Sequence, residues 1–438
     1  MFMTLKNFLK RAYDLDSWLI ELAEKVERDA SVMYREIEDT SRYNQLKVLH
    51  SFREAGVTEY HLKETTGYGY GDLGRDTLDK IYARLFGFEA GLVRAQIVSG
   101  THALALALYG NLKPGDHLLS VTGEPYDTLT EIIGSEETRG AGSLRDLGVT
   151  FSRVPLLPTG VPDLEGIKTA VTPDTRMVYI QRSSGYSWRS SLTIEKIREI
   201  IQTVKQVNPN TICLVDNCYG EFVQRAEPGE VGADLAAGSL IKNPGGGLAP
   251  TGGYLVGKKE YIQGAARRMT APGIEGNVGS SLGVNRWFYQ GLYMSPHIVG
   301  ESLKGAVFAA RLFERLGLKV SPRYDGERGD IIQAIEFGRP ESLVQFCQAV
   351  QGCSPVDSMA KPVPGQLPGY DHEVIMAAGC FVQGATLELS ADAPMREPYI
   401  AYLQGGLMAD HTWIAALCAA QSLWQHGYLP SGSCAPAR

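Results

Sequence analysis

The chain has 438 residues, enough for two domains with cores of their own. Hydrophobic residues make up 44% and charged residues 21%, ordinary globular values, and a net charge of −7 argues against a dedicated nucleic-acid binder. No apolar run reaches the length of a membrane span, so no membrane partner is expected.

In chain order, Met1 to Asp16 carries Lys6, Lys10 and Arg11 but no long apolar core or small-residue cleavage site, so no secretory signal is read. Residues 15–56 read as helical, with Leu19, Ile20, Leu22, Ala23 and Val26 recurring at helical spacing. A Tyr- and Gly-rich loop follows from Thr65 to Asp76. Between 95 and 257, short apolar runs alternate with helix-like segments. The strand candidates are Ala95–Val98, His117–Val121, Val149–Val154, Met177–Ile180, Thr211–Val215, Leu235–Ile241 and Gly253–Val256. This alternation predicts an α/β fold, a mostly parallel sheet covered by helices on both faces. A helical stretch from Ser280 to Leu316, with a break expected at Pro296, leads into a second domain. That domain is expected to mix strands near Asp330–Glu336 and Phe381–Leu389 with helices near Ser342–Gln351 and His411–His426. The expected organisation is an N-terminal helical segment (1–60), a large domain (61–305) and a smaller C-terminal α/β domain (306–438). The tail from Pro430 to Arg438 is expected to fray.

The chemistry concentrates at three places. Asp216 ends the apolar run in Cys-Leu-Val-Asp-Asn-Cys-Tyr-Gly-Glu-Phe (Cys213 to Phe222), and Lys242 opens the glycine-rich Lys-Asn-Pro-Gly-Gly-Gly. A strand-end acid followed by a lysine at a flexible loop is what pyridoxal 5'-phosphate needs. The lysine holds the aldehyde as a Schiff base, and the acid pairs with the protonated pyridine nitrogen. The third element is Ser99-Gly100-Thr101, between an apolar stretch and the helix-prone His102 to Leu108. Such a turn exposes N–H groups and a positive dipole end to an anion. Each element alone has a plain reading: a strand-end turn, a solvated lysine, a helix cap. Their order along the chain carries the case.

The seven cysteines are odd in number and form no Cys-x-x-Cys pair, which suits reduced thiols in a cytoplasmic protein. The eight histidines show no ligand spacing, and no metal is expected. Gly69 to Gly74 satisfies G-x-G-x-x-G, but no strand precedes it. Gly252 to Lys258 approximates a P-loop, yet Lys259 stands where a Ser or Thr is required.

With these residues in view, the chain resembles the fold-type-I pyridoxal phosphate enzymes of cysteine and methionine metabolism. The match is to the methionine γ-lyase-like branch, described as aluminium-resistance proteins or cystathionine β-lyases. The strings that carry it are Thr66-Gly-Tyr-Gly-Tyr-Gly-Asp-Leu-Gly-Arg-Asp-Thr77, Ile97 to Ala103, Gly123-Glu-Pro-Tyr-Asp-Thr128, Asp216 to Phe222, Lys242 to Gly247 and Leu387-Glu-Leu-Ser-Ala-Asp-Ala-Pro394. The resemblance implies that Lys242 carries the cofactor and shuttles protons, and that Asp216 binds the ring nitrogen. It implies a phosphate held by Gly100 and Thr101 with help from Ser239, and Tyr126 stacked on the ring. Tyr68, Tyr70 and Arg75 would reach the site from a neighbouring subunit of a homodimer or homotetramer. Arg396 is the candidate for the substrate carboxylate, with Arg182 competing, because a guanidinium fork suits a carboxylate. One departure stands out. The better-known sulfur amino acid lyases have Thr before the lysine, and here that position is Ile241.

The expected activity is elimination of a thiol from Cβ or Cγ of a sulfur-containing amino acid such as cystathionine, cysteine or methionine. Lys242 would act as base, its pKa lowered by desolvation. The alternatives are transamination or decarboxylation, or a cofactor-binding protein without turnover acting in metal tolerance.

Overall fold

A computed structural model describes residues 3–135, 140–366 and 372–436. Its helices are α1 (Leu5–Ala12), α2 (Ser17–Glu54), α3 (Leu73–Leu85), α4 (Gly100–Asn111), α5 (Asp127–Ile133), α6 (Leu164–Ala170), α7 (Ile194–Val207), α8 (Lys259–Met269), α9 (Asn285–Arg315), α10 (Pro340–Gly352) and α11 (Ala409–Gln425). The strands are β1 (Ala90–Arg94), β2 (His117–Ser120), β3 (Thr150–Arg153), β4 (Thr175–Gln181), β5 (Ile212–Asp216), β6 (Leu235–Ser239), β7 (Gly253–Gly257), β8 (Lys319–Ser321), β9 (Ile332–Glu336), β10 (Val374–Ala377), β11 (Ser390–Pro394) and β12 (Ile400–Gln404).

The chain divides into two compact units. One comprises Arg42–His297 with Arg328–Asp330, and the other Met1–Ser41, Ile298–Glu327 and Ile331–Arg438. The first holds a seven-stranded sheet in the order β1-β7-β6-β5-β4-β2-β3. β2 to β6 pair in parallel, and β7 runs antiparallel to both of its neighbours. Successive side chains on a strand face opposite ways, yet neighbours such as Leu214 and Val215 are both buried. The central strands are therefore covered on both faces, as parallel sheets require. The second unit holds a five-stranded antiparallel sheet, β10-β11-β12-β9-β8. Its core joins Leu19 and Val26 of α2 to Phe308 and Phe313 of α9, Phe346 of α10 and Leu423 of α11. No helix among the described residues is long and apolar enough to cross a membrane.

Four expectations change. Ala95–Val98 is not a strand: β1 lies earlier, and Ile97 is a buried turn residue whose neighbour Gln96 donates to the Ser280 carbonyl at 2.8 Å. An apolar residue buried from a turn gives the same pattern as one buried from a strand. Phe381–Leu389 is turn rather than strand, closed by the Glu388 carboxylate accepting from the N–H groups of Phe381 and Val382 at 2.6 and 2.8 Å. α9 runs through Pro296 without a break, since one missing N–H removes one ladder bond from a 31-residue helix. The tail is tethered where described, the Trp424 indole donating to the Pro436 carbonyl at 3.0 Å. Residues 437–438 lie outside the described residues.

Candidate active site

The site is assembled at adjacent strand ends of the seven-stranded sheet. Asp216 is the last residue of β5 and Ser239 the last of β6, paired in parallel, so both side chains arrive at the same edge. Lys242 follows three residues later at the entrance of a short 3-10 turn, Asn243–Gly245. The Asp216 carboxylate is buried and held from two sides. The Tyr179 hydroxyl of β4 donates to Oδ2 at 3.0 Å, and the Cys218 N–H donates to Oδ1 at 3.1 Å. Burial, followed by the Asp216 charge, holds both the Tyr179 hydroxyl and the Cys218 thiol far above their usual pKa. They therefore stay protonated, and the Tyr179 hydroxyl remains a donor to Asp216.

Lys242 Nζ lies over the Tyr219 ring, 3.9 Å from its centroid. Burial pushes the pKa of this amine down, as expected of a desolvated lysine. Tyr219, Cys218 and Asp216 outweigh it, and the net shift is upward. The charged form has partners here that a purely apolar pocket would lack.

The turn before α4 completes the edge. Ser99 caps the helix, its Oγ accepting from His102 N–H at 3.0 Å, so its hydroxyl is already engaged. Gly100 permits close approach: a Cβ there would meet Cys218 Sγ at 3.2 Å and Ser239 Cβ at 3.4 Å. The first-turn N–H groups have no intrahelical acceptors. The Thr101 hydroxyl pairs with that of Thr128 at 2.9 Å, tying α4 to α5. Ser239 Oγ is buried and has no hydrogen-bond partner among the described residues, an unanswered hydroxyl beside the helix start. Tyr126, capping α5, packs edge-on against Tyr186 with centroids 5.5 Å apart.

Other candidates sit elsewhere. Arg182 is fully buried, its Nη1 donating to Asn217 Oδ1 at 2.8 Å and pairing with Glu227 at 3.4 Å, and its Nη2 donating to Gln224 at 3.4 Å. Its fork is spent inside the protein. Tyr68 and Tyr70 are 72% and 71% exposed and stack on each other at 5.5 Å. Arg75, only 4% exposed, donates from Nη1 to the Gly69 and Gly279 carbonyls, both at 2.9 Å, and from Nε to Asp76. Arg396 is exposed and belongs to the second unit, between β11 and β12.

The sequence model of the methionine gamma-lyase family matches residues 19–424. The chain belongs to the methionine gamma-lyase family. It is 51% identical over 407 residues to Bacillus subtilis protein YnbB, spanning 93% of this chain and 97% of that protein. The solved structure of a carbon-sulfur lyase involved in aluminum resistance from Clostridium novyi NT is 49% identical, with a TM-score of 0.92 over 96% of this chain and 99% of that one. L-methionine gamma-lyase of Fusobacterium nucleatum is 26% identical over 237 residues, 54% of each chain. The fold alone is shared with the pyridoxal-5'-phosphate dependent protein YhfS of Escherichia coli, at 18% identity, a TM-score of 0.58, and coverage of 89% and 97%. Membership makes the chain a lyase of a pyridoxal phosphate-dependent family.

The residues fit that cofactor. The unpartnered Ser239 hydroxyl and the Gly100 turn suit a phosphate, Asp216 a protonated ring nitrogen, and Lys242 an aldehyde. Sequence reasoning gave no role to Tyr179, Tyr219, Cys218 or Asn243. For Tyr219 the signal lay within the Asp216 to Phe222 string. For Tyr179 it was the two-strand pairing of β4 with β5.

Proposed function

We propose that the chain is a pyridoxal phosphate-dependent carbon–sulfur lyase acting by β- or γ-elimination on a sulfur-containing amino acid such as cystathionine, cysteine or methionine. The observation that carries it is the buried Asp216–Tyr179 pair beside Lys242 at adjacent strand ends of one unit. The near-complete likeness to the Clostridium novyi carbon-sulfur lyase supports the choice of reaction.

When bound, pyridoxal phosphate supplies an electron sink for negative charge at the substrate α-carbon. Lys242 would hold its aldehyde, and Gly100, Thr101 and Ser239 its phosphate, with Ser99 fixing the turn. Tyr126 would cover the ring face. Tyr179 and the Cys218 N–H keep the Asp216 carboxylate aimed, and Asp216 would pair with the ring nitrogen. Lys242 Nζ, when neutral, takes the α-proton. The C–S bond then breaks at Cβ, or at Cγ after a second proton is taken from Cβ; the sulfur leaves as a thiol once protonated, and water releases ammonia and a 2-oxo acid.

Arg396 is our candidate for the substrate carboxylate, with Arg182 assigned to the interior. The exposed Tyr68–Tyr70 pair suits a homo-oligomer in which these rings reach a neighbouring subunit's site and Arg75 anchors their loop. The seven free cysteines suit a cytoplasmic protein. The test is product analysis: with the cofactor and each of cystathionine, cysteine and methionine, thiol, ammonia and a 2-oxo acid should form together without an amino acceptor. A product that needs an acceptor would indicate transamination, and carbon dioxide release would indicate decarboxylation. A chain that binds cofactor yet exchanges no α-proton of any amino acid would overturn an enzymatic reading.

A further inference from the structure

We propose that Tyr219 is a positioning residue for Lys242: the face of its ring holds the Lys242 ammonium, and the amine must leave that face before it can react. This rests on the reading that Lys242 is the reacting amine. Three observations carry it. First, Nζ sits 3.9 Å from the ring centroid, well inside the range of a cation–π contact. Second, the ring is held there against backbone preference. Tyr219 has φ of 69°, a left-handed conformation unusual for a bulky residue, as does Phe222 at 62°. Third, the residue that fixes this turn is the immediate neighbour of Lys242. Asn243 Nδ2 donates to the Tyr219 and Glu221 carbonyls, both at 3.0 Å, and its own carbonyl accepts from Ser295 Oγ at 2.5 Å. The two loops are tied so that ring and amine meet.

The charged and titratable groups facing Nζ are Asp216, Cys218 and Tyr219, with Glu221 behind Cys218. The thiol stays protonated, and the ammonium is held by Asp216 and by Tyr219, through the face of its ring and a side-chain hydrogen bond. Only the first can be assigned from charge alone. The ring also gives the amine a fixed resting place after it has taken up a proton, which keeps that proton available at one position.

The experiment follows covalent capture of added pyridoxal phosphate by the cofactor-free full-length chain, from mildly acidic to strongly alkaline pH. Absorbance gives the rate, and borohydride reduction with peptide mapping gives the site. Capture needs the neutral amine, so its pH midpoint reports how firmly the ammonium is held. Tyr219→Phe keeps the ring face but loses the hydroxyl, and should lower the midpoint less than Tyr219→Leu does. Tyr219→Leu, and a fluorinated phenylalanine that keeps shape but withdraws charge from the face, should each lower the midpoint by about one unit and speed capture at neutral pH about tenfold. A merely structural role would alter stability without moving the midpoint. The fluorinated ring preserves the test if the leucine variant fails to fold. An unchanged midpoint across the series, or Tyr219→Phe shifting as far as Tyr219→Leu, overturns the proposal. Absence of capture at Lys242 in the wild type overturns the functional reading, and this inference falls with it.

Discussion

The strand-end cluster and the tyrosine loop are both rich in functional residue types, yet they are built in opposite ways. At the strand ends, side chains answer side chains: Tyr179 to Asp216, Lys242 to Tyr219, Asn243 to the turn below it. In the segment from Thr65 to Asp76 the Tyr68 and Tyr70 rings stack on each other, and Arg75 and Asp72 hold the backbone beneath them. The cluster lies within one unit. The loop presents two large rings to solvent. Within this chain Arg75 is turned inward, onto the Gly69 and Gly279 carbonyls.

The largest effect should come from the centre of the cluster. Asp216→Ala removes the only charged partner expected at the ring nitrogen, so α-proton exchange, followed by NMR in deuterated water, should fall by several orders of magnitude while some cofactor is retained. Exchange at the wild-type rate would show that the acid has another purpose. The loop can be tested by mixing. Lys242→Ala should be inactive and Tyr70→Ala weakened. If the loop serves a neighbouring subunit, refolding them together creates some sites with neither defect, and activity rises above both parents. If the loop serves its own subunit, mixing restores nothing.

Smaller effects separate the two arginines. Arg396→Ala should raise KM about tenfold or more and leave the resting spectrum alone, because a lost charge-assisted pair is worth roughly 1.5–3 kcal/mol. Arg182→Ala should instead destabilise the fold by about 3–5 kcal/mol, since Glu227 would be left buried without its cation. A KM effect confined to Arg182→Ala would reverse these roles. The smallest effect concerns Glu221, whose pKa burial raises to about 8 despite a hydrogen bond from Tyr254 at 2.8 Å. Its native pKa lies above its unfolded value near 4.5, so the native state binds the proton more tightly. Its contribution is therefore favourable below that unfolded value and is lost as pH rises towards 8. Glu221→Gln should match the wild-type Tm in acid and exceed it by about 2 °C or more in mild alkali. A constant difference across pH would contradict the shift.

The cluster was legible in sequence where function and secondary structure coincide. Asp216 closes an apolar run and Lys242 opens a glycine-rich turn, so spacing alone places both at strand ends, while Ser239 enters only through the family resemblance. Tyr219 was not legible, because its placement depends on a left-handed turn and on Asn243, which no periodicity reports. Ile97 misled for a related reason, since burial from a turn mimics a strand. Arg182 looked available because it follows β4 directly, but strand exits point both towards the site and into the interior. Only the positions of Asn217 and Glu227 decide between them.

The central claim is that Lys242 is the cofactor lysine. The direct measurement is borohydride reduction of the pyridoxal phosphate-loaded protein followed by peptide mapping. The account predicts one pyridoxyl group, on the peptide containing Lys242. An adduct on Lys258 or Lys259, or none, would contradict it.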